Sequence, residues 1–295
     1  MNTEATQILD ISSQDPEARR AIGTILVEEG RLEAQDVGRV QRFAQEKGLR
    51  FGDAAVQLRL ASQDDVEFAL ARQFDYPALA RGGADGVDDA VVAAHSPQSA
   101  ALEPLRALRS ELTLRWLNAT TRRMLAIASP ERGEGRSWLA ANLATSFAQA
   151  GQRTLLIDTD MRHPSQHRLF NLDNSYGLSS LLTGRTSGKD VVRRIHPQLK
   201  LFVLTAGFQP PNPQELLLRP IFETVLDRFA QVFSIVVLDT PSASDSADSQ
   251  IVAARAGAAL LLSRRNRTRV ANLAATMRSL VETGVQVLGS VVNEY

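Results

Sequence analysis

Met124-Leu-Ala-Ile-Ala128, Ser129-Pro130 and Glu131-Arg132-Gly133-Glu134-Gly135-Arg136-Ser137 run directly into Trp138-Leu139-Ala140-Ala141. The stretch reads as a short apolar strand, a glycine turn and a helix that continues from Ser137 to Ala150 and closes at Gly151. A glycine just past a helix supplies the left-handed residue that commonly ends it. Glycines in a strand-to-helix turn let the backbone approach an anion, and the first amides of the helix point at it. Ser137 stands where a hydroxyl reaches magnesium in such loops. Taken alone the turn is ambiguous, because many strand-to-helix turns carry two glycines for geometry only.

Working outward, Thr154–Ile157, Leu201–Leu204, Ser234–Leu238, Ala258–Leu262 and Val285–Gly289 are further short apolar runs. Near-continuous apolar strands suit a parallel sheet with helices on both faces, so the fold class is α/β. Two of these runs end in acids: Leu155-Leu-Ile-Asp158-Thr-Asp160-Met-Arg162 and Ile235-Val-Val-Leu-Asp239-Thr-Pro241. Open α/β sheets bind ligands beyond the carboxyl ends of their strands. Three carboxylates are therefore expected around the glycine loop. Acids that merely cap strands at a wet edge account for one or two of them, and poorly for all three.

Composition excludes several classes. Lys plus Arg and Asp plus Glu each total 33, so there is no basic excess to drive nucleic-acid binding. With no cysteine there is no disulfide framework, thiol nucleophile or Cys-based metal site. His163 and His167 share an i, i+4 spacing, but Pro164 between them argues against one helix presenting both. The polar, acidic start lacks the apolar core of a signal peptide, and no run approaches the ~20 residues of a membrane span. A cytoplasmic protein is expected.

The organisation reads as a flexible N-terminus (1–19), a duplicated helical domain (20–79), a linker (80–99) and the nucleotide-binding domain (100–295). Gly23-Thr-Ile-Leu-Val27 returns as Gly52-Asp-Ala-Ala-Val56, 29 positions on, and Asp36-Val37 returns as Asp65-Val66. Each copy predicts a short helix, a turn and a longer helix, and the two copies should pack together. Arg81-Gly-Gly-Ala-Asp-Gly86 has linker composition, and a helix resumes near Ala101 with Leu102, Leu105, Leu108 and Leu112 on one face.

The strand-end and loop motifs together resemble those of the bacterial tyrosine kinases: a GEGKS-like loop, an apolar-DxDxR strand end and an apolar-DxxP strand end. Glu103-Pro-Leu-Arg106-Ala-Leu-Arg109 looks like that family's ExxRxxR segment, and Pro210-Pro-Asn-Pro-Gln-Glu215-Leu-Leu like its PPNPxELL stretch. Asp248 matches a further family acid. Within the family the chain is similar to the EpsG-type chain-length-determinant kinases of exopolysaccharide biosynthesis, which carry GEGRS and end near NEY, as Asn293-Glu294-Tyr295 does. The resemblance implies phosphoryl transfer from ATP to tyrosine. Gly133, Glu134, Gly135, Arg136, Ser137 and Trp138 would bind ATP, and Ser137, Asp160 and Asp239 would hold Mg2+. Asp158 would accept the phenolic proton or orient the phenol, Arg136 would act on the phosphates, and Tyr295 would be the autophosphorylation site. It also implies a homo-oligomer built through Glu103, Arg106 and Arg109. A membrane polysaccharide co-polymerase, through its cytoplasmic segment, would recruit the protein to the inner membrane. Arg136 departs from the usual lysine, and the usual C-terminal tyrosine cluster is missing. An ATPase assembly switch without kinase activity is therefore the alternative.

The duplicated region resembles the N-terminal domain of type II secretion ATPases, a family with cyclic-di-GMP-binding members. Arg50, Gly52 and Gly23 are the residues that would serve such a ligand, although Ala21 and Arg59 depart from the repeat's arginine and glycine. A cyclic-di-GMP-responsive regulator is thus a third reading, beside a docking or purely structural role for this domain.

Overall fold

The computed structural model describes residues 21–74, 76–79, 86–96 and 99–294. The expected flexible N-terminus and Tyr295 lie outside them. The described residues fall into two compact units, one made of residues up to 79 with 95–100, the other of residues 86–94 and 101–294.

The first unit is helical and internally repeated. Helices α1 (Ile22–Glu28) and α2 (Val37–Lys47) recur as α3 (Phe51–Gln57) and α4 (Gln63–Gln73). Ile25, Leu26, Leu32 and Ala69 form one small core; Val40, Ala44, Ala54 and Ala55 form another, and Phe51 packs against both. Neither copy could bury these faces alone, which is why the duplication folds as a pair. Ser62 and Asp65 make a capping box at the start of α4, satisfying two otherwise orphaned amides.

The turn after each short helix also repeats. The amides of Gly30, Arg31 and Leu32 donate to Val27, Leu26 and Leu26; those of Arg59, Leu60 and Ala61 donate to Val56, Ala55 and Ala55. Gly30 has φ +66° and Arg59 φ +57°, so the second copy holds an arginine in the left-handed region that its counterpart fills with glycine.

The second unit is a seven-stranded sheet in the order β3-β4-β2-β5-β1-β6-β7. Its elements are α5 (Glu103–Leu112), β1 (Met124–Ala128), α6 (Arg136–Gln149), β2 (Thr154–Asp158), β3 (Val192–Arg194), β4 (Leu201–Leu204), α7 (Pro220–Val232), β5 (Ile235–Asp239), α8 (Asp248–Ala256), β6 (Ala258–Arg264), α9 (Val270–Glu282) and β7 (Gln286–Asn293). All neighbours are parallel except β3, which runs antiparallel to β4. The expected all-parallel sheet therefore carries one antiparallel edge strand. β1, β2 and β5 are buried at every position, as their apolar runs require.

Two boundaries differ from expectation. The last strand runs to Asn293 rather than Gly289, because it is a half-exposed edge strand whose apolar run is interrupted at Gly289 and Ser290. It pairs along Ala258–Arg264 with a bulge opposite Ala259/Leu260. Part of the expected linker is structure. Val87, Val91, Ala93 and Ala94 are buried, and α6 receives this segment through Asn142 Oδ1, which accepts from the Ala93 amide at 2.9 Å.

Arg59→Gly should raise the unfolding free energy of the first unit by roughly 0.5–1 kcal/mol. It relieves the left-handed strain of a Cβ-bearing residue, less the entropy that glycine gains when unfolded. Calorimetry on wild type and variant reads the shift, and an unchanged or lowered melting temperature would refute the strain argument.

Candidate nucleotide site

β2 and β5 lie side by side in parallel register, with Asp158 opposite Asp239 as Cα partners. Both carboxylates are completely buried. Asp158 Oδ1 accepts from the Asp160 amide at 3.1 Å, and Oδ2 from the amides of Ser165 and Gln166 at 2.9 Å each. Burial, then the neighbouring Asp239 charge, pushes the Asp158 carboxyl well above its ordinary range against the pull of those amides. Burial pushes Asp239 up to about 6, against hydrogen bonds from Gln166 and Ser137. Asp239 Oδ2 takes the Gln166 side-chain amide at 2.7 Å, while Oδ1 is buried with no hydrogen-bond partner. Asp160 is nearly buried and turns its Oδ1 onto the amides of Arg162 (3.2 Å) and His163 (2.8 Å). Arg162 Nε donates to buried Asp248 at 2.9 Å, tying this loop to the start of α8.

The glycine loop connects β1 to α6 at the same edge. Gly133 has φ +75° and Gly135 φ +100°, backbone that favours glycine. A Cβ on Gly135 would stand 2.5 Å from Asn293 Nδ2, so the close approach also excludes a side chain. Loop and β7 are joined there, since Asn293 Nδ2 donates to the Glu134 carbonyl at 2.9 Å.

Glu134 was expected to contact nucleotide. Its side chain instead turns inward, fully buried, with Oε2 accepting the Glu131 amide at 2.8 Å and Oε1 accepting the Thr268 hydroxyl. A buried carboxylate needs such donors, and here they brace the loop from within. Arg264 adds a bond to the Gly133 carbonyl at 3.1 Å, and Asn272 one to Glu131 Oε1 at 2.8 Å.

Arg136 is nearly buried. Its Nε donates to the Thr240 carbonyl at 2.9 Å, and Nη1 to the Glu131 carbonyl at 2.7 Å and to Ser129 Oγ. Burial lowers its pKa, opposed by the charges of Asp239, Asp160 and Glu134, and the group remains a cation. The expected phosphate ligand is thus also a strut between the glycine loop and the end of β5. Trp138 lines a cavity of about 500 Å³ with Leu105, Leu108, Leu262, Val292 and Asn293, beside Gly135 of the loop.

Residues expected at an oligomer interface divide. Glu103, which is exposed, and Arg106, which is half-buried, pair within α5 at 2.9 Å. Arg109 turns inward, donating to the Ser146 carbonyl (3.0 Å) and hydroxyl (3.2 Å) on α6, so as placed it clamps two helices together. In the helical unit, a Cβ on Gly23 would meet the Phe51 ring at 2.9 Å and one on Gly52 would meet Val66 Cγ1 at 2.6 Å. These glycines serve helix packing, and only exposed Arg50 is left of the expected cyclic-di-GMP set. That ligand finds no support in this geometry.

Sequence reading missed Gln166 and Thr268, single polar residues outside any motif, and it named Asn293 only within the terminal tripeptide, without its contact to the loop. Only their wiring to the loop and acids reveals them. Among the described residues no three His, Asp or Glu side chains converge to hold a metal alone. A P-loop magnesium does not need them, since phosphate and water complete its shell. The unpartnered Asp239 Oδ1, the adjacent Ser137 and the buried carboxylates with raised pKa suit a cation.

Residues 125–295 match the CobQ/CobB/MinD/ParA nucleotide-binding domain. Tyrosine-protein kinase CapB of Staphylococcus aureus is 35% identical over 199 residues, covering 67% of this chain and 86% of CapB. The chain belongs to the bacterial tyrosine-kinase family. Tyrosine-protein kinase EpsB of Ralstonia solanacearum is 38% identical over 204 residues, 69% of this chain but only 27% of EpsB, so the chain spans about a quarter of that relative. Among solved structures, the chimerical protein CapA2B2 superposes with a TM-score of 0.66 and 31% identity over 78% of this chain and 99% of the other. The kinase domain of Escherichia coli Etk gives a TM-score of 0.65 and 29% identity over 69% and 79%.

Asp239→Asn should stabilise the ligand-free protein at pH 8 by a few kcal/mol while abolishing Mg2+-dependent stabilisation by ATP. A carboxyl raised from 3.8 to about 6 binds its proton more tightly folded than unfolded. Its contribution to stability is therefore full below about pH 4 and lost as pH rises through 6. Urea melts at pH 5 and pH 8 test this; equal variant effects at both would sink it.

Proposed function

We propose that this protein is an ATP- and magnesium-dependent tyrosine kinase that phosphorylates itself and serves exopolysaccharide polymerisation or chain-length control. The observation that carries the reading is the buried Asp239 with a free Oδ1, set against Ser137 and the glycine loop. The family membership of the chain supports the same chemistry.

In this reading the amides of Gly133–Ser137 cradle the phosphates, with Arg136 offering its remaining terminal nitrogen. Ser137 and Asp239 hold Mg2+, with Asp160 acting directly or through water. Magnesium bound with ATP supplies neutralisation of phosphate charge, the main electrostatic contribution in phosphoryl transfer. Asp158 takes the phenolic proton, for which a raised carboxyl is a better base than an ordinary one, the phenol itself having a pKa of about 10. Its oxygens are occupied by three amides, so this role requires the Asp160–Gln166 segment to open. Tyr295 is the proposed acceptor. The partner is a membrane polysaccharide co-polymerase, whose cytoplasmic segment would bring the protein to the inner membrane; no described helix is long and apolar enough to cross a membrane. Glu103, exposed on α5, and half-buried Arg106 are the proposed contacts of a homo-oligomer, with Arg109 contributing only if it leaves Ser146.

One observation favours an ATPase assembly switch instead. Two of the three Arg136 nitrogens are already held by protein acceptors, which weakens the phosphate contact that a lysine would give.

Phosphotyrosine mass spectrometry after incubation with ATP and Mg2+, with and without the co-polymerase's cytoplasmic segment, separates the two. The kinase reading expects phosphate on Tyr295 or on the partner segment, absent in Asp158→Ala; Tyr295→Phe should remove the tail signal alone. ATP hydrolysis with no phosphotyrosine would move the assignment to the switch.

A further inference from the structure

Gln166 opens a short helix (Gln166–Leu169) beyond the acidic end of β2, and it is fully buried. It touches all three motifs of the site. Its backbone amide donates to Asp158 Oδ2 at 2.9 Å. Its side-chain Nε2 donates to Asp239 Oδ2 at 2.7 Å and to the Ser137 carbonyl at 3.1 Å. Both side-chain partners are acceptors, which fixes the orientation of the amide. The other oxygen, Oε1, is buried without a partner, as is Asp239 Oδ1.

Burying an unsatisfied amide oxygen is costly, and a packed core would replace this side chain with an apolar one at little loss. The geometry points to a use. We infer that Gln166 is a positioning residue for the divalent cation: by holding Asp239 through Oδ2 it presents Oδ1, and through the Ser137 carbonyl it keeps the loop serine in register with that oxygen. This rests on the reading that the loop binds ATP with magnesium. It extends that reading to a residue that belongs to none of the three motifs.

Gln166→Met keeps the volume and removes the donors; Gln166→Asn keeps the amide but falls a methylene short. Both are tested by equilibrium binding of a fluorescent ATP analogue to the full chain, in excess Mg2+ and in EDTA, and by Mn2+ binding in the presence of nucleotide. Wild type should bind more tightly with Mg2+. Both variants should lose about tenfold of that Mg2+-dependent gain, the factor for one hydrogen bond to a charged group. Their affinity in EDTA should fall by clearly less than that, because the inferred role is exerted through the cation. Mn2+ affinity should fall in parallel. An undiminished Mg2+ gain overturns the inference, and so does an equal loss with and without Mg2+, which would mark Gln166 as a general packing residue. If wild type binds the analogue without any Mg2+ effect, the magnesium reading itself fails, and that result is separable because it appears before any variant is made.

Discussion

Two carboxylates, Asp158 and Asp239, are forced together by the register of β2 and β5, and neither has access to solvent. Like charges this close cannot both ionise without help, and burial sharpens the conflict. The surrounding architecture answers it unevenly. Asp158 receives three backbone amides from the segment that follows its own strand, so the turn from Asp160 to Gln166 is wound around it. Asp239 receives the Gln166 side-chain amide on one oxygen and keeps the other without a hydrogen-bond partner. One acid thus has both oxygens held by backbone amides, and the other keeps an oxygen without a partner. Any sequence that ends both strands in aspartate inherits this problem, because parallel pairing leaves the two ends nowhere else to go.

The glycine loop sits between that acidic edge and a different set of constraints on its far side. Thr268 and Asn293, with Arg264 and Asn272, reach it from β6, β7 and the segment between them. Glu134 is the pivot, since its carboxylate and its carbonyl are both held from this side. The loop's shape is consequently set by the C-terminal third of the chain, and Arg136 bridges it back to Thr240 at the end of β5. A planar guanidinium with fixed donors suits a strut between carbonyls better than an ammonium does. Arginine at this position therefore contributes rigidity to the loop.

Much of this was legible before any coordinates. The buried strands announced themselves as apolar runs, and the acids and glycines stood at their ends. What was hidden followed from physics that leaves little trace in sequence. β3 is three residues long and two of them are arginines. The outer half of β7 alternates exposed and half-buried residues, so it breaks the apolar run that marks an interior strand. Val87 and Val91 sat within a stretch whose glycines and acids spoke for a linker, yet they are buried. Gln166 and Thr268 act through one or two hydrogen bonds each, and a lone polar residue has no periodicity to betray it. Gly23 and Gly52 show the opposite error: a glycine demanded by a helix crossing looks, in sequence, like one demanded by a ligand.

The helical unit makes the same point about glycine more sharply. Its two copies share one backbone hydrogen-bond pattern after the short helix, amide for amide, although one carries Gly30 at the left-handed position and the other Arg59. The local penalty for arginine there is about 1–2 kcal/mol. Burying Phe51, Leu26 and Ala55 between the copies offsets it, since a single large apolar side chain contributes about as much. The turn is therefore imposed by how the copies pack, and the glycine only eases it. A repeat defined by packing can lose its signature glycine and still fold. For the same reason, the glycines that survive in it say where helices touch and carry no information about a ligand.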